Sequence, residues 1–371
     1  MQVTVQKASF PSDRRVLVTS DIHGHADLLK RLLQKAGLGR NDILVIIGDF
    51  IEKGGQSLET VREVMRLCRE HTVYPLMGNV DLFRVSRILS DDPADWQSYL
   101  QWSLNAKRWW GGSMLHEMCE ELGTPLTPDM DMASAIPEIR RHFAPEIGFL
   151  SALPTVLETE DVIFVHGGIP HERLDELTGR DCFELLKYDD FIKTCPAFDK
   201  WVIVGHWPVV LNCEKIPCAN PMIDRDRHVI GIDGGCGVKE NGQLNLLILP
   251  GGRAEGASFL AVDDLPCVTA LADQQEAPAT AHIHWGDHDV TVLETGETMA
   301  RVLFHGQEMR VPAQYLFEDH GQSCCSDVTD YTLPVRAGDE LRRILVLPEG
   351  MYAKKDGVFG WYKGPWREEE E

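Results

Sequence analysis

Short apolar runs of strand length recur through the first two thirds of the chain, at residues 15–20, 42–47, 73–77, 161–165, 201–204, 228–232 and 244–249. Their β-branched content and near-continuous apolar character predict strands buried on both faces. Helical periods lie between the early runs. Leu28, Leu29, Leu32 and Leu33 repeat at helical spacing and stop at Gly37, a C-terminal cap. Ser57 reads as the N-cap of a helix over 58–70 that turns Leu58, Val61, Met65 and Cys68 inward. Strands alternating with helices predict an α/β domain with covered sheets. Over 82–149 the pattern becomes helical and rich in tryptophan (Trp96, Trp102, Trp109, Trp110). This reads as a helical insertion that either roofs a site or packs its aromatics as plain core.

The pattern changes near Gly251. Residues 251–281 end in a polar Ala- and Pro-containing stretch and read as a linker. Beyond it come short alternating strands with turn residues. We expect a small β module over 282–320. Residues 329–365, with their Gly-Asp, Gly-Trp and strand spacing, resemble a Src-homology-type small β-barrel. The catalytic part would then occupy residues 1–250, and the terminal Arg-Glu-Glu-Glu-Glu would be a solvated tail.

Charge narrows the partners. Thirty-six Lys and Arg against 58 Asp and Glu leave a net charge of −22 in 371 residues. Such a surface repels phosphate backbones and anionic lipid, so no nucleic-acid or membrane partner is expected. An anionic substrate remains open where a bound metal reverses the local field. No apolar run approaches the ~20 residues of a membrane span. The opening residues have neither the apolar core nor the cleavage site of a secretory signal. The ten cysteines form no regular framework, which fits a reduced, cytoplasmic setting.

Candidate chemistry gathers after the strands. The first ends in Asp21-Ile22-His23-Gly24 and the second in Gly48-Asp49. The third ends in Gly78-Asn79, the fourth in His166-Gly167-Gly168 and the fifth in Gly205-His206. Ligand-binding loops in open α/β sheets collect beyond the carboxyl ends of strands. A lone histidine or Gly-Asp there is usually structural, but five in succession are not explained by chance. Mixed nitrogen and oxygen donors suit Mn, Fe, Zn or Ni.

This order resembles the calcineurin-like metallophosphoesterases, and within them the phosphoprotein phosphatase branch. That branch holds bacterial Ser/Thr phosphatases and symmetrical diadenosine tetraphosphatases. The resemblance covers about residues 14–250. It implies a four-layer α/β/β/α sandwich, to which the C-terminal small β-barrel modules read above would be appended, with two divalent metal ions at the strand ends, Mn foremost. By the same resemblance Asp21, His23 and Asp49 hold the first ion, and Asp49 is shared with a second held by Asn79, His166 and His206. Two cations about 3.5–4 Å apart would polarise a phosphoryl group and lower the pKa of water. Downstream, Ile232-Asp233-Gly234-Gly235 looks like the end of the phosphatase core.

Some positions depart from the family. Lys53 stands where Arg is usual; it keeps the charge without bidentate grip. Met77 replaces an Arg often seen before Gly-Asn. Val80 replaces the histidine that serves as general acid, while Asp81 keeps the place of that histidine's partner with nothing obvious to orient. His25 and His171, on loops after ligand positions, are candidate proton donors. His282, His284 and His288 form a second histidine group, read as a solvated turn. The expected activity is metal-dependent hydrolysis of phosphomonoesters. Rival readings are a diadenosine tetraphosphatase-like hydrolase and a non-catalytic metal-binding scaffold reading peptides. Substrates would be phosphorylated small molecules, nucleotides or phosphoproteins, and a peptide partner is expected for the C-terminal modules.

Overall fold

Runs such as Arg-Val-Leu-Val-Thr and Ile-Leu-Val-Ile-Ile have no polar face to give to water, so each must be covered on both sides. The computed structural model, which describes residues 1–368, covers them with a second sheet on one side and helices on the other. Two compact units divide the chain: residues 1–208 with 221–263, and residues 209–220 with 264–371. No helix among the described residues is long and apolar enough to cross a membrane. All ten cysteines are free.

In the first unit the strands are β1 (Val5–Lys7), β2 (Arg15–Thr19), β3 (Ile43–Ile47), β4 (Thr72–Leu76), β5 (Val156–Glu158), β6 (Val162–Val165), β7 (Trp201–Val204), β8 (Met222–Asp224), β9 (Val229–Gly231), β10 (Leu244–Pro250) and β11 (Ser258–Val262). They form a five-stranded sheet ordered β11-β10-β2-β3-β4 and a six-stranded sheet ordered β1-β5-β6-β7-β9-β8. Strands β2, β3 and β4 run parallel, as do β6, β7 and β9. Their carboxyl ends therefore point one way within each sheet. Val16, Val18, Ile43, Val45 and Ile47 share one apolar cluster with Leu157, Val162, Phe164, Ile203 and Ile230, so the two sheets stack face to face.

Helices α1 (Ala26–Ala36) and α2 (Ser57–Glu70) pack on the five-stranded sheet. The leucine stripe of α1 is buried as its spacing predicts, and Gly37 closes the helix at φ 61°. Ser57 is the first residue of α2 rather than its cap. Its hydroxyl accepts from the Glu52 amide (3.0 Å), while the Ser57 and Leu58 amides donate to the Glu117 carboxylate (2.7 Å each). An acid 60 positions away thus does the capping that the local pattern assigned to serine.

The segment after β4 is helical throughout: α3 (Asn79–Leu89), α4 (Pro93–Trp110), α5 (Met114–Glu121), α6 (Met132–His142) and α7 (Ala144–Ser151).

The stretch 251–281, expected as a linker, carries β11 and then β12 (Cys267–Ala270). Strand β11 pairs with β10 along its whole length, and buried Val268 and Ala270 join the core of the second unit. The polar residues that suggested a linker lie only after these strands. The second unit is β-rich, with β13 (His282–Ile283), β14 (Thr291–Thr295), β15 (Met299–Phe304), β16 (Gln307–Pro312), β17 (Leu316–Asp319), β18 (Gln322–Cys325), β19 (Val328–Thr329), β20 (Glu340–Leu347), β21 (Gly350–Lys355), β22 (Val358–Tyr362) and β23 (Trp366–Glu368). Its main sheet is ordered β22-β21-β20-β12-β23. Arg367 and Glu368 of the expected tail belong to β23, and Glu369–Glu371 lie outside the described residues.

Candidate metal centre

Each expected donor sits one to four residues past a strand, and the stacking of the sheets brings the loops together. The loops after β2 and β3 are laced by backbone bonds: Asp21 N–H to Gly48 O (3.1 Å), His23 N–H to Asp49 O (3.0 Å) and Gly24 N–H to Phe50 O (2.8 Å). Glycine permits the tightest approaches. A Cβ at Gly78 would overlap the Asp49 backbone, and one at Gly205 would overlap the Asp21 carboxylate.

Donor atoms of Asp21, His23 and Asp49, all buried, lie within 4.8 Å of one another. His23 Nε2 is 3.8 Å from Asp21 Oδ1 and 3.6 Å from Asp49 Oδ2. The other Asp49 oxygen, Oδ1, faces a second group, 3.4 Å from His166 Nε2. That nitrogen is also 2.9 Å from Asn79 Oδ1. Asp49 thus presents one oxygen to each group. His206 joins through its backbone, whose N–H donates to Asp21 Oδ2 (3.0 Å), and its ring centre lies 5.2 Å from that of His166. All six residues of the expected ligand set are brought together.

Hydrogen bonds fix which ring nitrogens keep a lone pair. Carbonyl oxygens only accept, so His23 Nδ1–H donates to Ile51 O (3.2 Å) and His166 Nδ1–H to Ile47 O (2.8 Å), which makes Nε2 of each the atom that would coordinate an ion, in His166 once its proton is displaced. His206 is the reverse. Its Nε2–H donates to the Asp189 carboxylate (2.9 Å), which leaves Nδ1.

The electrostatics ask for positive charge. Burial, with the Lys53 charge, lowers His23 to about 3 and keeps it neutral. Burial and the nearby His166 charge lower His206 to about 4. Burial, with the Asp49 charge, pushes Asp21 up to about 6. His166 goes the other way: burial opposes its charge, but the Asp49 and Asp21 carboxylates prevail and hold it at about 10. Its Nε2 proton lies among Asn79 Oδ1 and Asp49 Oδ1, where a divalent cation would supply the same charge. The donor set fits two such ions.

The remaining candidates separate. Lys53 Nζ lies 3.4 Å from His23 Nε2, in the site. His25 Nδ1 donates to the His23 carbonyl (2.7 Å), so it anchors the loop. His171 pairs with Glu176 (3.8 Å), and no contact described for it reaches the six donors. Asp81, which had nothing to orient on sequence grounds, is fully buried and accepts three backbone N–H groups: Asp49 (2.8 Å), Phe50 (2.9 Å) and Gly78 (3.0 Å). It braces the Asp49 loop. The Val80 amide donates to Asp49 Oδ1 (2.9 Å), so this position meets the site through its backbone.

Three further residues bear on the site: Asp189 and Glu52 carry no local signal, and Asp233 stands in the Ile232–Gly235 stretch that resembles the end of the phosphatase core. Asp189 orients His206 from a loop 17 residues earlier. Asp233 is buried, with Oδ2 unpartnered, and burial beside Asp21 holds it well above the usual carboxylate range. Glu52 is wholly buried between the Asp49 loop and the helical insertion. It accepts from Tyr99 Oη (2.9 Å) and the Met114 amide (3.3 Å) and pairs with Arg84 (3.4 Å), whose guanidinium lies 3.4 Å over Trp102. The tryptophan-rich insertion is thereby fastened to the loop that carries Asp49.

The model of the family described as calcineurin-like phosphoesterase matches residues 14–225. Over 68 residues, 18% of this chain and 21% of the relative, the sequence is 43% identical to a symmetrical bis(5'-nucleosyl)-tetraphosphatase of Xanthomonas axonopodis pv. citri (strain 306). Over 207 residues, 47% of this chain and 51% of the relative, it is 21% identical to Shewanella-like protein phosphatase 2 of Arabidopsis thaliana. A protein serine/threonine phosphatase structure from Saccharomyces cerevisiae superposes with TM-score 0.42 and 13% identity, covering 71% of this chain and 85% of that one. The cold-active protein-tyrosine phosphatase of a psychrophilic Shewanella species gives TM-score 0.39 and 18% identity, covering 71% and 83%.

Proposed function

This chain belongs to the calcineurin-like phosphoesterase family, and from that premise we propose that it is a two-metal hydrolase of phosphate esters and anhydrides whose leaving group departs without a proton. Asp21, His23 and Asp49 would hold one divalent ion; Asn79, His166, His206 and the second oxygen of Asp49 would hold the other. Such ions neutralise phosphoryl charge and lower the pKa of water. Manganese suits the mixed N/O donors, with Fe, Zn or Ni as alternatives. The chain's own residues prepare the site. The Ile47 and Ile51 carbonyls fix the His166 and His23 tautomers, Asp189 fixes that of His206, and Asp81 holds the Asp49 loop. Lys53 adds a cation beside His23 for an anionic substrate.

One observation carries the substrate class. Six donors converge, yet position 80 is valine and the Asp81 carboxylate is spent on three amides, so no proton donor stands where the family places one. General acid catalysis typically contributes about 10²–10⁴-fold. Aryl phosphates and phosphoanhydrides tolerate that loss; a serine alkoxide does not. Phosphomonoesters with activated leaving groups are the first substrate class. A dinucleoside polyphosphate is the second reading, supported by the 43% identity to a symmetrical tetraphosphatase over 68 residues. The test compares p-nitrophenyl phosphate, a phosphoserine peptide and diadenosine tetraphosphate under added manganese, with Asp49→Asn as control. We expect activity on the first and third, little on the second, and loss of turnover and of bound metal in the variant. Equal rates on phosphoserine would refute the substrate class; unchanged metal content in Asp49→Asn would refute the shared carboxylate.

A further inference from the structure

In the histidine group read as a solvated turn, His282 is buried and keeps its ring centre 5.0 Å from that of His284, while His288 turns elsewhere. His282 Nδ1 faces the Cys213 carbonyl (2.9 Å) and His284 Nδ1 the Trp285 carbonyl (2.9 Å). His288 instead meets two residues that the spacing of histidines did not single out. Ligand atoms of His288, Asp289 and Cys324 lie within 4.8 Å of one another.

The backbone holds this arrangement. Residues 288–290 run antiparallel to β18, with Asp289 bridged to Cys324, Val290 N–H bonded to Ser323 O (2.9 Å) and Cys325 N–H to His288 O (3.0 Å). The three donors therefore come from two hydrogen-bonded segments 35 residues apart in sequence. Cys324 is 1% exposed, His288 is half-buried and Asp289 is exposed, so the group has a buried floor and an open side. Cys324 Sγ lies 3.6 Å from Asp289 Oδ1. In a tetrahedral zinc site, with Zn–S about 2.3 Å and Zn–O about 2.1 Å, the S···O edge comes to about 3.6 Å. The thiol also has the Gln322 carbonyl at 3.6 Å as an acceptor, and a metal replacing its proton would not need to move Sγ and Oδ1 apart.

We propose that His288, Asp289 and Cys324 form a second metal site in the C-terminal unit, separate in composition from the Asp21–His206 group and selective for zinc-class ions. A thiolate, an imidazole and a carboxylate together favour zinc over the hard ions magnesium and calcium. The open side at Asp289 leaves a fourth position for water. The ion would tie the segment before β14 to β18.

Cobalt(II) distinguishes this site from the first one. The Asp21–His206 donors include no cysteine, so only the proposed site gives a near-ultraviolet thiolate-to-cobalt charge-transfer band. The full-length chain, reduced and stripped with chelator, is titrated with cobalt(II) and then with zinc. The expected result is a charge-transfer band with the final intensity of one thiolate-bound cobalt per chain, whatever share of the added cobalt the Asp21–His206 donors take, and it is bleached by zinc. Asp49→Asn should keep the band and Cys324→Ser should lose it, with folding checked by circular dichroism. Should Cys324→Ser fail to fold, His288→Ala provides the second test, with its titration midpoint moved to higher cobalt. No band in the native chain, a band persisting in folded Cys324→Ser, or an unmoved midpoint in His288→Ala overturns the proposal.

Discussion

Asp81→Ala separates two roles that one buried carboxylate could play. The Asp81 oxygens accept the amides of Asp49, Phe50 and Gly78, and all three residues are buried. In the alanine variant those donors lose their acceptor with no water to replace it. An unsatisfied buried donor costs about 1–3 kcal/mol, so three would sum to several kcal/mol. Part is recovered because the carboxylate is itself desolvated, and burial pushes it up to about 7. A net loss of about 2–4 kcal/mol follows. At roughly 2–4 °C per kcal/mol for a domain of this size, the melting temperature should fall by about 5–15 °C. Asp81→Asn, which leaves no cavity and can keep its carbonyl oxygen on the Asp49 and Gly78 amides, should lose less, because only the Phe50 amide would then face its NH2. Since Asp49 is the shared donor, its loosened loop should also weaken metal binding by about 10–100-fold, the usual cost of losing a group that orients a ligand. The assays are calorimetric unfolding, manganese titration and the pH dependence of kcat on an aryl phosphate. Melting and metal affinity should fall together while the acid limb of the pH profile keeps its position. The reverse result, intact stability and metal binding with a displaced acid limb, would show that Asp81 moves protons and would refute the bracing role.

Three further outcomes are expected. Val80→His, in folded protein, should raise the phosphoserine rate far more than the aryl phosphate rate; equal gains would place the proton source elsewhere, and His25 would be mutated next. Glu52, pushed up to about 7 by burial against the opposing charge of Arg84, binds its proton more tightly folded than unfolded. Its contribution to stability should therefore decline as pH rises from about 4.5 to about 7, by up to about 3 kcal/mol, and denaturant unfolding of Glu52→Gln should lack that slope. Truncation after residue 250 should give insoluble protein. It strips β11 from β10 and removes the partners of 209–220, including Gly357 for the Ala219 amide (2.9 Å) and Thr329 for the Lys215 carbonyl (3.0 Å); soluble, active protein from that cut would show these pairings dispensable.

What was legible in the sequence is what lies close along the chain. A strand covered on both faces declares itself by a continuous apolar run, and each expected donor follows its strand by one to four residues, so one stretch of sequence carries both strand and donor. The capping of α2 by Glu117, the orientation of His206 by Asp189 and the bond of Asp81 to the Asp49 loop depend on partners 17 to 60 positions away. No local period marks them. The same limit explains His288: its partner Cys324 is 36 residues on, and the neighbouring histidines that drew attention bond to carbonyls instead. The linker reading failed differently. Strand β11 is half exposed along an edge and carries no strong alternation, so its pairing with β10, rather than its own pattern, makes it a strand.

The backbone shows why the donor positions take the residues they do. Asp21, His23, Asp49 and His206 all have positive φ, at 55°, 48°, 53° and 68°, and so do Glu52 and Lys53 at 68° and 60°. Each costs a non-glycine residue about 1–3 kcal/mol. Where the turn needs the same conformation but no side chain, as at Gly24 and Gly48, the chain uses glycine at φ 66° and 71°. Within one pair of loops, then, glycine appears where only the path matters, and a strained aspartate or histidine where a donor must point inward. The strain is opposed by bonds that exist before any ion arrives: the lacing of residues 21–24 to 48–50, the three amides on Asp81, and the Ser57 hydroxyl on the Glu52 amide. An ion entering such loops has no backbone to rearrange, so its binding energy goes into neutralising carboxylates rather than into folding the site.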